Sequence, residues 1–296
     1  MPTLSRCLLA KSIDVSLVDV NRMDSFADGY LHRWTIPETT IAQVIAGRYE
    51  IEHAGGHLFI EPGEMYILQA NTAVAITHHF AGSGRMEAQW VRFSAMLYRT
   101  CDVVALFETP LKIGGTDALV ISDIIGALWG LSGRGGIGSA EEIPRFIADA
   151  YRVPMLLMQL VQAIIGVSTP RSEAFALLKH ADQLSTVLEF IHRNLATAIS
   201  VEELAGIACL SPSHFHARFR QAFGQTPVHF IRAMRVREAC RLLLLTQRKV
   251  QDIAEATGFG NVYYFCRVFK TLHGVSPGEY RRANQLLRSP VGEDAV

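Results

Sequence analysis

Two groups of residues toward the C-terminal end of the chain have the types and spacing to make hydrogen bonds and neutralise negative charge along a helix face. The first is Ser213, His214, His216, Ala217, Arg218 and Arg220, with Gln221 beside them. The second is Asn261, Val262, Tyr263, Cys266, Arg267 and Lys270. Residues three and four apart are neighbours on a helix surface, so each set can present its polar groups together. Hydroxyl, imidazole and guanidinium groups in such a row suit the acceptors of base edges and phosphates. The chemistry is recognition rather than bond-making. Four histidines, His53, His57, His78 and His79, raise metal chemistry as a second option. His53 and His57 are four apart across a glycine turn, with Glu61 four further on, while the adjacent His78 and His79 would point to opposite faces of a strand. A metal needs three or four convergent ligands. This spacing does not converge them, so neither a metal nor a cofactor is expected.

The elements that must carry the two polar rows occur twice. Phe219 to Pro227 returns fifty residues later as Phe269 to Pro277, and Glu203-Leu204-Ala205 matches Asp252-Ile253-Ala254 at an offset of forty-nine. Repetition at a fixed period indicates one supersecondary unit used more than once. The first copy opens with a capping box, Ser200-Val201-Glu202-Glu203. Leu204, Ile207 and Ala208 make an apolar stripe on a short helix. Ser211 as N-cap and Pro212 at the first helical position start a second helix, which carries Phe215, Phe219, Ala222 and Phe223 inward, and Gly224 is expected to close it in the left-handed conformation. In the second copy Val250, Ile253 and Ala254 begin the short helix. Gly258-Phe259-Gly260 turns, Asn261 caps, and Phe265, Val268 and Phe269 face inward. Two helices joined by a short turn, the second polar and basic on its free face, form a helix-turn-helix whose second helix can enter a DNA major groove. From Pro227 to about Leu245 a long connector, apolar at Phe230, Ile231, Met234, Leu242 and Leu243, can hold both reading helices on one DNA face.

The run Gly258-Phe259, Tyr264-Phe265, Arg267-Val268-Phe269-Lys270, Gly274-Val275-Ser276-Pro277 and Tyr280-Arg281 resembles the signature of the AraC/XylS family of transcription regulators, over roughly residues 180–285. The resemblance implies a seven-helix DNA-binding domain with two helix-turn-helix units. By position it implies base reading by Ser213, His216 and Ala217 in the first unit and by Val262, Tyr263, Cys266 and Arg267 in the second. In the first unit His216, Arg218 and Arg220 are the stronger candidates, because Ser213 and Ala217 are smaller than the residues common there. The expected partners are double-stranded DNA at a promoter or operator, a second copy of the chain in a homodimer, a small-molecule effector and RNA polymerase.

Charge is distributed accordingly. Residues 179–288 hold fifteen Lys/Arg against eight Asp/Glu, while residues 1–178 hold thirteen against eighteen, although the whole chain is neutral. A basic C-terminal part beside a mildly acidic remainder fits phosphate contact by the former alone. Five cysteines without CxxC spacing and the lack of a basic-then-apolar leader suggest reduced thiols in a cytoplasmic protein. The longest apolar run, Met155 to Val167, is interrupted by glutamines and too short to cross a bilayer.

The N-terminal part reads as short strands. Val15 to Val20 is a candidate edge strand, and from Gly29 to about Phe93 turn signals at Gly47, Gly55-Gly56 and Pro62-Gly63 separate alternating segments. With the closing Gln89 to Phe93 this resembles the cupin-like effector domain that precedes the DNA-binding half in the same family. The fold class expected is α+β: a cupin-like β-barrel with flanking helices, then an all-α domain with two helix-turn-helix units. The domains expected are 1–170 for effector binding and dimerisation, a linker at 171–180 within or beside the polar stretch Ser168 to Glu173, and 181–288 for DNA binding. Arg33, Trp34, Tyr49, His78, Trp90 and Arg92 are the polar and aromatic candidates for lining an effector pocket. Helices are expected over Val120 to Leu131, from a capping box at Ser139-Ala140-Glu141-Glu142, over Met155 to Ile165, and from Leu184 to Leu195, with a flexible loop at Gly133 to Gly138. The all-round apolar Met155–Ile165 helix suits either packing on the barrel or a dimer interface. No HExxH or P-loop occurs, so no enzyme is expected; the alternative is a cupin-type metalloenzyme with an accessory helical domain.

Overall fold

The computed structural model describes residues 13–23, 27–36, 38–53, 56–97, 101–132 and 139–286. Two compact units divide the chain, one built on residues 14–96 and 102–171, the other on the residues from Ser172 onward.

The first unit is antiparallel sheet followed by helices. Its strands are β1 (Ile13–Met23), β2 (Tyr30–Ile36), β3 (Thr39–Ala46), β4 (Arg48–His53), β5 (Gly56–Ile60), β6 (Met65–Leu68), β7 (Thr72–His79), β8 (Glu87–Leu97), β9 (Cys101–Asp102), β10 (Phe107–Glu108), β11 (Lys112–Ile113) and β12 (Thr169–Pro170). One sheet runs β1-β8-β3-β6-β11 with β9 beside β8; a second runs β2-β7-β4-β5. As the sequence suggests, β1 lies at an edge. The two sheets share one apolar core, with Ala42 and Val44 of β3, Tyr66 and Leu68 of β6 and Ala88 of β8 packed with Tyr49 and Ile51 of β4, Ile60 of β5 and Val74 and Ile76 of β7. β3 is buried along Thr39 to Val44 because both its faces are covered. Its outward Gln43 reaches the helix beyond: Ser122 Oγ donates to Gln43 Oε1 at 2.7 Å, and Gln89 Nε2 donates to both at 2.7 and 3.0 Å.

That helix, α1, spans Gly115–Ser132 and buries Ala118, Ile121, Ile125 and Leu128. It packs against α2, Ile143–Gly166. The Ser139-Ala140-Glu141-Glu142 box does not cap an α-helix. Ser139 is extended, its side chain accepts no cap bond, and a single 3-10 turn over Ala140–Glu142 precedes α2. From there one helix runs through Pro154, uniting the two segments expected. Leu157, Leu160, Val161 and Ile164 form its buried face, while Ile143, Phe146, Ile147, Tyr151, Met155 and Met158 are exposed. Beyond α2, Thr169-Pro170 pairs with β10, and Arg171 N donates to Leu106 O at 2.9 Å. The loop at 133–138 and the first glycine of the Gly55-Gly56 turn lie outside the described residues.

The second unit is helical: α3 (Ala174–Gln183), α4 (Ser185–Arg193), α5 (Val201–Ile207), α6 (Pro212–Phe223), α7 (Pro227–Leu245), α8 (Val250–Ala256), α9 (Val262–His273) and α10 (Pro277–Leu286). The seven helices α4 to α10 follow the tandem plan. α3 begins before them and takes up most of the 171–180 stretch. The repeat is visible in the packing as well as the chain. Phe215, Phe219, Phe223 and Phe230 stack with ring centres 5.5 Å apart for 215–219, 4.7 Å for 219–223 and 5.1 Å for 219–230. Fifty residues on, Phe265, Phe269, His273 and Tyr280 repeat those contacts at 5.6, 4.7 and 5.4 Å. Aromatic pairs in such tilted and edge-on arrangements contribute about 0.5–1.5 kcal/mol each beyond the area they bury. Between the copies α7 is buried on most sides, at Phe230, Ile231, Met234, Val236, Ala239, Cys240, Leu242, Leu243 and Leu244.

One turn is fixed by backbone geometry. Gly258 has φ +79, and a Cβ there would sit 2.5 Å from Leu195 O and 3.0 Å from the Arg235 guanidinium. Arg235 donates from Nε to Leu195 O (2.9 Å) and from Nη2 to Thr197 O (2.6 Å). Glycine thus lets the second helix-turn-helix close against the loop before the first.

Candidate nucleic-acid interface

The two reading helices start alike. Ser211 caps α6, its Oγ accepting from His214 N at 3.4 Å, with Pro212 in the first turn. Asn261 caps α9 more tightly, its Oδ1 accepting from Tyr263 N at 2.8 Å and Tyr264 N at 3.1 Å. Asn261 Oδ1 is therefore committed to the backbone. Both helices end at left-handed glycines, Gly224 and Gly274. Upstream, Ser200 Oγ accepts from Glu203 N at 3.1 Å, so the first half of that capping box is made.

On α6, Ser213, His214, Ala217, Arg218 and Arg220 are exposed and His216 half-buried, so all six lie off the aromatic core. Arg218 Nη2 donates to Gln183 Oε1 of α3 at 2.8 Å, a neutral acceptor that leaves its charge in place. On α9 the side chains left outward are Val262 and Cys266, half-buried, and Tyr263, Arg267 and Lys270, exposed. Tyr263 is 83% exposed in the first turn, where a groove-reading helix meets base edges. Burial pushes the Cys266 thiol up, so it stays protonated and offers base edges only a weak donor. The Arg267 guanidinium lies 5.5 Å from the centre of the Tyr264 ring. A hollow of about 220 Å³ opens between α8 and α9, bordered by Gln251, Glu255, Asn261 and Tyr263.

The effector candidates do not all meet at one point, although Trp90 packs against the same core as Tyr49. Tyr49 and His78 come together in the core between the sheets, ring centres 4.8 Å apart, and His32 lies 4.8 Å from His78. Tyr66 completes this group, 5.6 Å from Tyr49. Burial holds His32 down to about 4 and His78 down to about 3, and it pushes the Tyr49 and Tyr66 hydroxyls up. All four are therefore neutral near pH 7. Trp90 and Arg92 meet instead on Asp19 of β1: Trp90 Nε1 and Arg92 Nη2 donate to Asp19 Oδ2 at 3.0 and 3.1 Å. Arg33 stands apart, exposed and 3.9 Å from Glu52. Trp34 is placed by its backbone, opposite Val74; its side chain lies outside what is described. The sequence reading missed His32, Tyr66 and Asp19. The register carries the signal for two of them, since His32 pairs with Ile76 and Tyr66 with Ala42, both core positions.

The remaining histidines of the two sheets do not converge. His57 Nδ1 and His79 Nε2 each hydrogen-bond a different oxygen of Glu50, at 2.9 and 2.8 Å, and His53 is exposed at the strand end. Among the described residues no group of three His, Cys, Asp or Glu is arranged to hold a metal.

The tandem helix-turn-helix with two outward, capped and partly basic helices defines a DNA-reading class of protein. A family model described as a helix-turn-helix domain matches residues 204–283. The chain is 32% identical over 258 residues to the transcriptional activator NphR of a Rhodococcus species, a match covering 84% of this chain and 71% of that protein. It is 31% identical over 106 residues to AdaA of Bacillus subtilis, named as a bifunctional transcriptional activator and DNA repair enzyme, a match covering 36% of this chain and 50% of AdaA. Against a putative AraC-like transcription regulator of Streptomyces antibioticus it is 32% identical over 99 residues, 33% of each chain. The chain thus spans half of AdaA or less of these partial relatives, and most of NphR. It belongs to the AraC-type family of transcription regulators.

Proposed function

We propose that this chain is a sequence-specific DNA-binding transcription regulator, and not an enzyme, whose helices α6 and α9 read two adjacent major grooves about one helical turn (~34 Å) apart. The observation that carries the reading is the duplicated, separately capped pair of outward helices on a shared aromatic core. Within it Ser213, His214, His216, Ala217, Arg218 and Arg220 serve the first groove, and Asn261, Val262, Tyr263, Cys266, Arg267 and Lys270 the second. Residues 181–288 form the DNA-binding domain, residues 1–170 the effector and dimerisation domain, and 171–180 the connection. The protein acts in the cytoplasm as a homodimer on promoter DNA, alongside RNA polymerase.

The exposed apolar row Ile143, Ile147, Tyr151, Met155 and Met158 on α2 supports the dimer, because its spacing gives one continuous stripe beside the buried face. A small-molecule effector binds against the core around Tyr49 and His78, on which Trp90 packs, with Arg92 beside Trp90 on Asp19 and Arg33 and Trp34 on β2. A neutral imidazole and phenol cluster beside an Asp–Arg pair offers a few directed polar groups in an apolar setting, as small-molecule sites do. Effector binding shifts the placement of domains or protomers to the extent that it binds one arrangement more tightly than the other.

The test is a salt titration of binding to a DNA fragment from upstream of the protein's own coding region, against scrambled DNA. Steep salt dependence with a specific-to-scrambled ratio of about 10³ or more is expected. Arg267→Ala and Lys270→Ala are each expected to weaken binding on both DNAs and lower the salt slope by about one. Equal binding to both DNAs, with both variants unchanged, would refute the reading.

A further inference from the structure

We propose that Arg232, on the connector helix α7, joins Arg267 of α9 in gripping a DNA backbone phosphate, and that Tyr264 is the positioning residue that holds the two guanidiniums together. The inference rests on the DNA-binding reading above and adds a residue outside the reading helices. Arg232 Cζ lies 5.6 Å from the Tyr264 ring centre and Arg267 Cζ lies 5.5 Å from the same centre. Both distances fall within the range at which a cation is drawn to a ring face. The two side chains come from different helices, so their sharing of one ring is a property of the tertiary fold. Arg232 is half-buried and Arg267 exposed.

Two guanidiniums on one ring repel each other, and among the described residues neither forms a salt bridge to a carboxylate. The other cations of this face show what a structural arginine looks like here. Arg235 gives its nitrogens to the carbonyls of Leu195 and Thr197, and Arg281 to those of Leu243 and Arg248. Arg232 and Arg267 have no such commitment; their positive charge is left for an anion from outside. Guanidinium groups bind phosphate through paired, charge-assisted hydrogen bonds, so a phosphodiester fits the pair.

The ring itself is fixed. Tyr264 N donates to the Asn261 cap at 3.1 Å, and its ring packs 6.0 Å from that of Phe259. It follows Tyr263, the most exposed aromatic of the reading face. The clamp therefore sits at the foot of α9, where the backbone flanking a read base would pass. Because Arg232 does not project from the reading helix, its contribution is affinity without sequence preference.

The experiment compares the full-length protein with Arg232→Ala, Tyr264→Leu and Tyr264→Phe on the upstream fragment and on scrambled DNA, over about 50 to 200 mM salt. For R232A the salt slope is expected to fall by about 0.9 and the affinity by about fivefold near 0.15 M salt, equally on both DNAs. Y264L is expected to lose more, since both arginines lose their support. Y264F keeps the ring face and is expected to match the wild type. A wild-type slope in R232A, a protein folded by far-UV circular dichroism, would overturn the clamp. So would a Y264F variant as weak as Y264L. If the wild type shows no preference between the DNAs, sequence reading fails while the slope of R232A still decides the clamp; if it binds neither DNA, both fall.

Discussion

Lowering the pH from about 7.5 to 5 is expected to remove on the order of 4 kcal/mol of stability from the N-terminal unit through His32 and His78 alone. Both side chains are buried, 8% and 3% exposed, and packed against each other. Burial lowers them from 6.5 to about 4 and about 3, and the neighbouring His32 and His79 lower His78 further. The folded-state values lie below the unfolded one, so the unfolded chain binds more protons. The contribution is complete above the ordinary histidine value of 6.5 and falls away as the pH drops below it. The loss levels off only below the folded values of 3 to 4. At pH 5 an unfolded chain holds nearly two protons on these rings and the folded chain almost none. Each ring then costs about 1.4 kcal/mol per pH unit.

The assay is urea unfolding at a series of pH values, followed by tryptophan fluorescence. Trp34, Trp90 and Trp129, the three tryptophans, all precede Ser172, so the signal reports the N-terminal unit and not the helical one. A His32→Gln/His78→Gln variant has no proton to take up at either site. Its stability is expected to depend on pH less steeply than the wild type's by about 4 kcal/mol over this range. Other titrating groups, such as the Glu50 carboxyl held down by its bond from His79, remain in both proteins and cancel in the comparison. Equal pH dependence in the two proteins would refute the claim that these imidazoles are held neutral by burial.

Gly258→Ala is expected to destabilise the helical unit by at least about 2 kcal/mol, because it adds left-handed strain to a contact with Leu195 O that the backbone cannot relieve. Far-UV circular dichroism against urea measures this, and a loss under about 0.5 kcal/mol would mean that the turn relaxes freely. Replacing Tyr151 and Met155, 71% and 63% exposed, by Glu is expected to weaken self-association at least tenfold without lowering stability. Sedimentation equilibrium checks it; an unchanged dimer would place the interface elsewhere.

The sequence by itself determined the tandem helical plan, because everything that specifies it is local. Ser200, Ser211 and Asn261 satisfy backbone N–H groups within three residues of themselves, and Gly224 and Gly274 end helices by conformations other residues resist. The fifty-residue spacing of the phenylalanines then fixes which faces turn inward. The same local logic failed at Ser139, where the expected cap bond is absent and α2 instead begins at Ile143. Residue type suggested Tyr49 and His78, with four others, as pocket-lining candidates. It gave no means of seeing that His32 stacks on His78, that Trp90 and Arg92 share Asp19 from seventy residues away, or that Arg33 faces outward. Only the tertiary structure decided those pairings, and with them the fate of each charge. Arg235 and Arg281 are tied to the fold, whereas Arg232 and Arg267 share one tyrosine ring. Periodicity reports which way a side chain leaves its own element, but a hydrogen bond or ring contact depends on what another element brings to meet it.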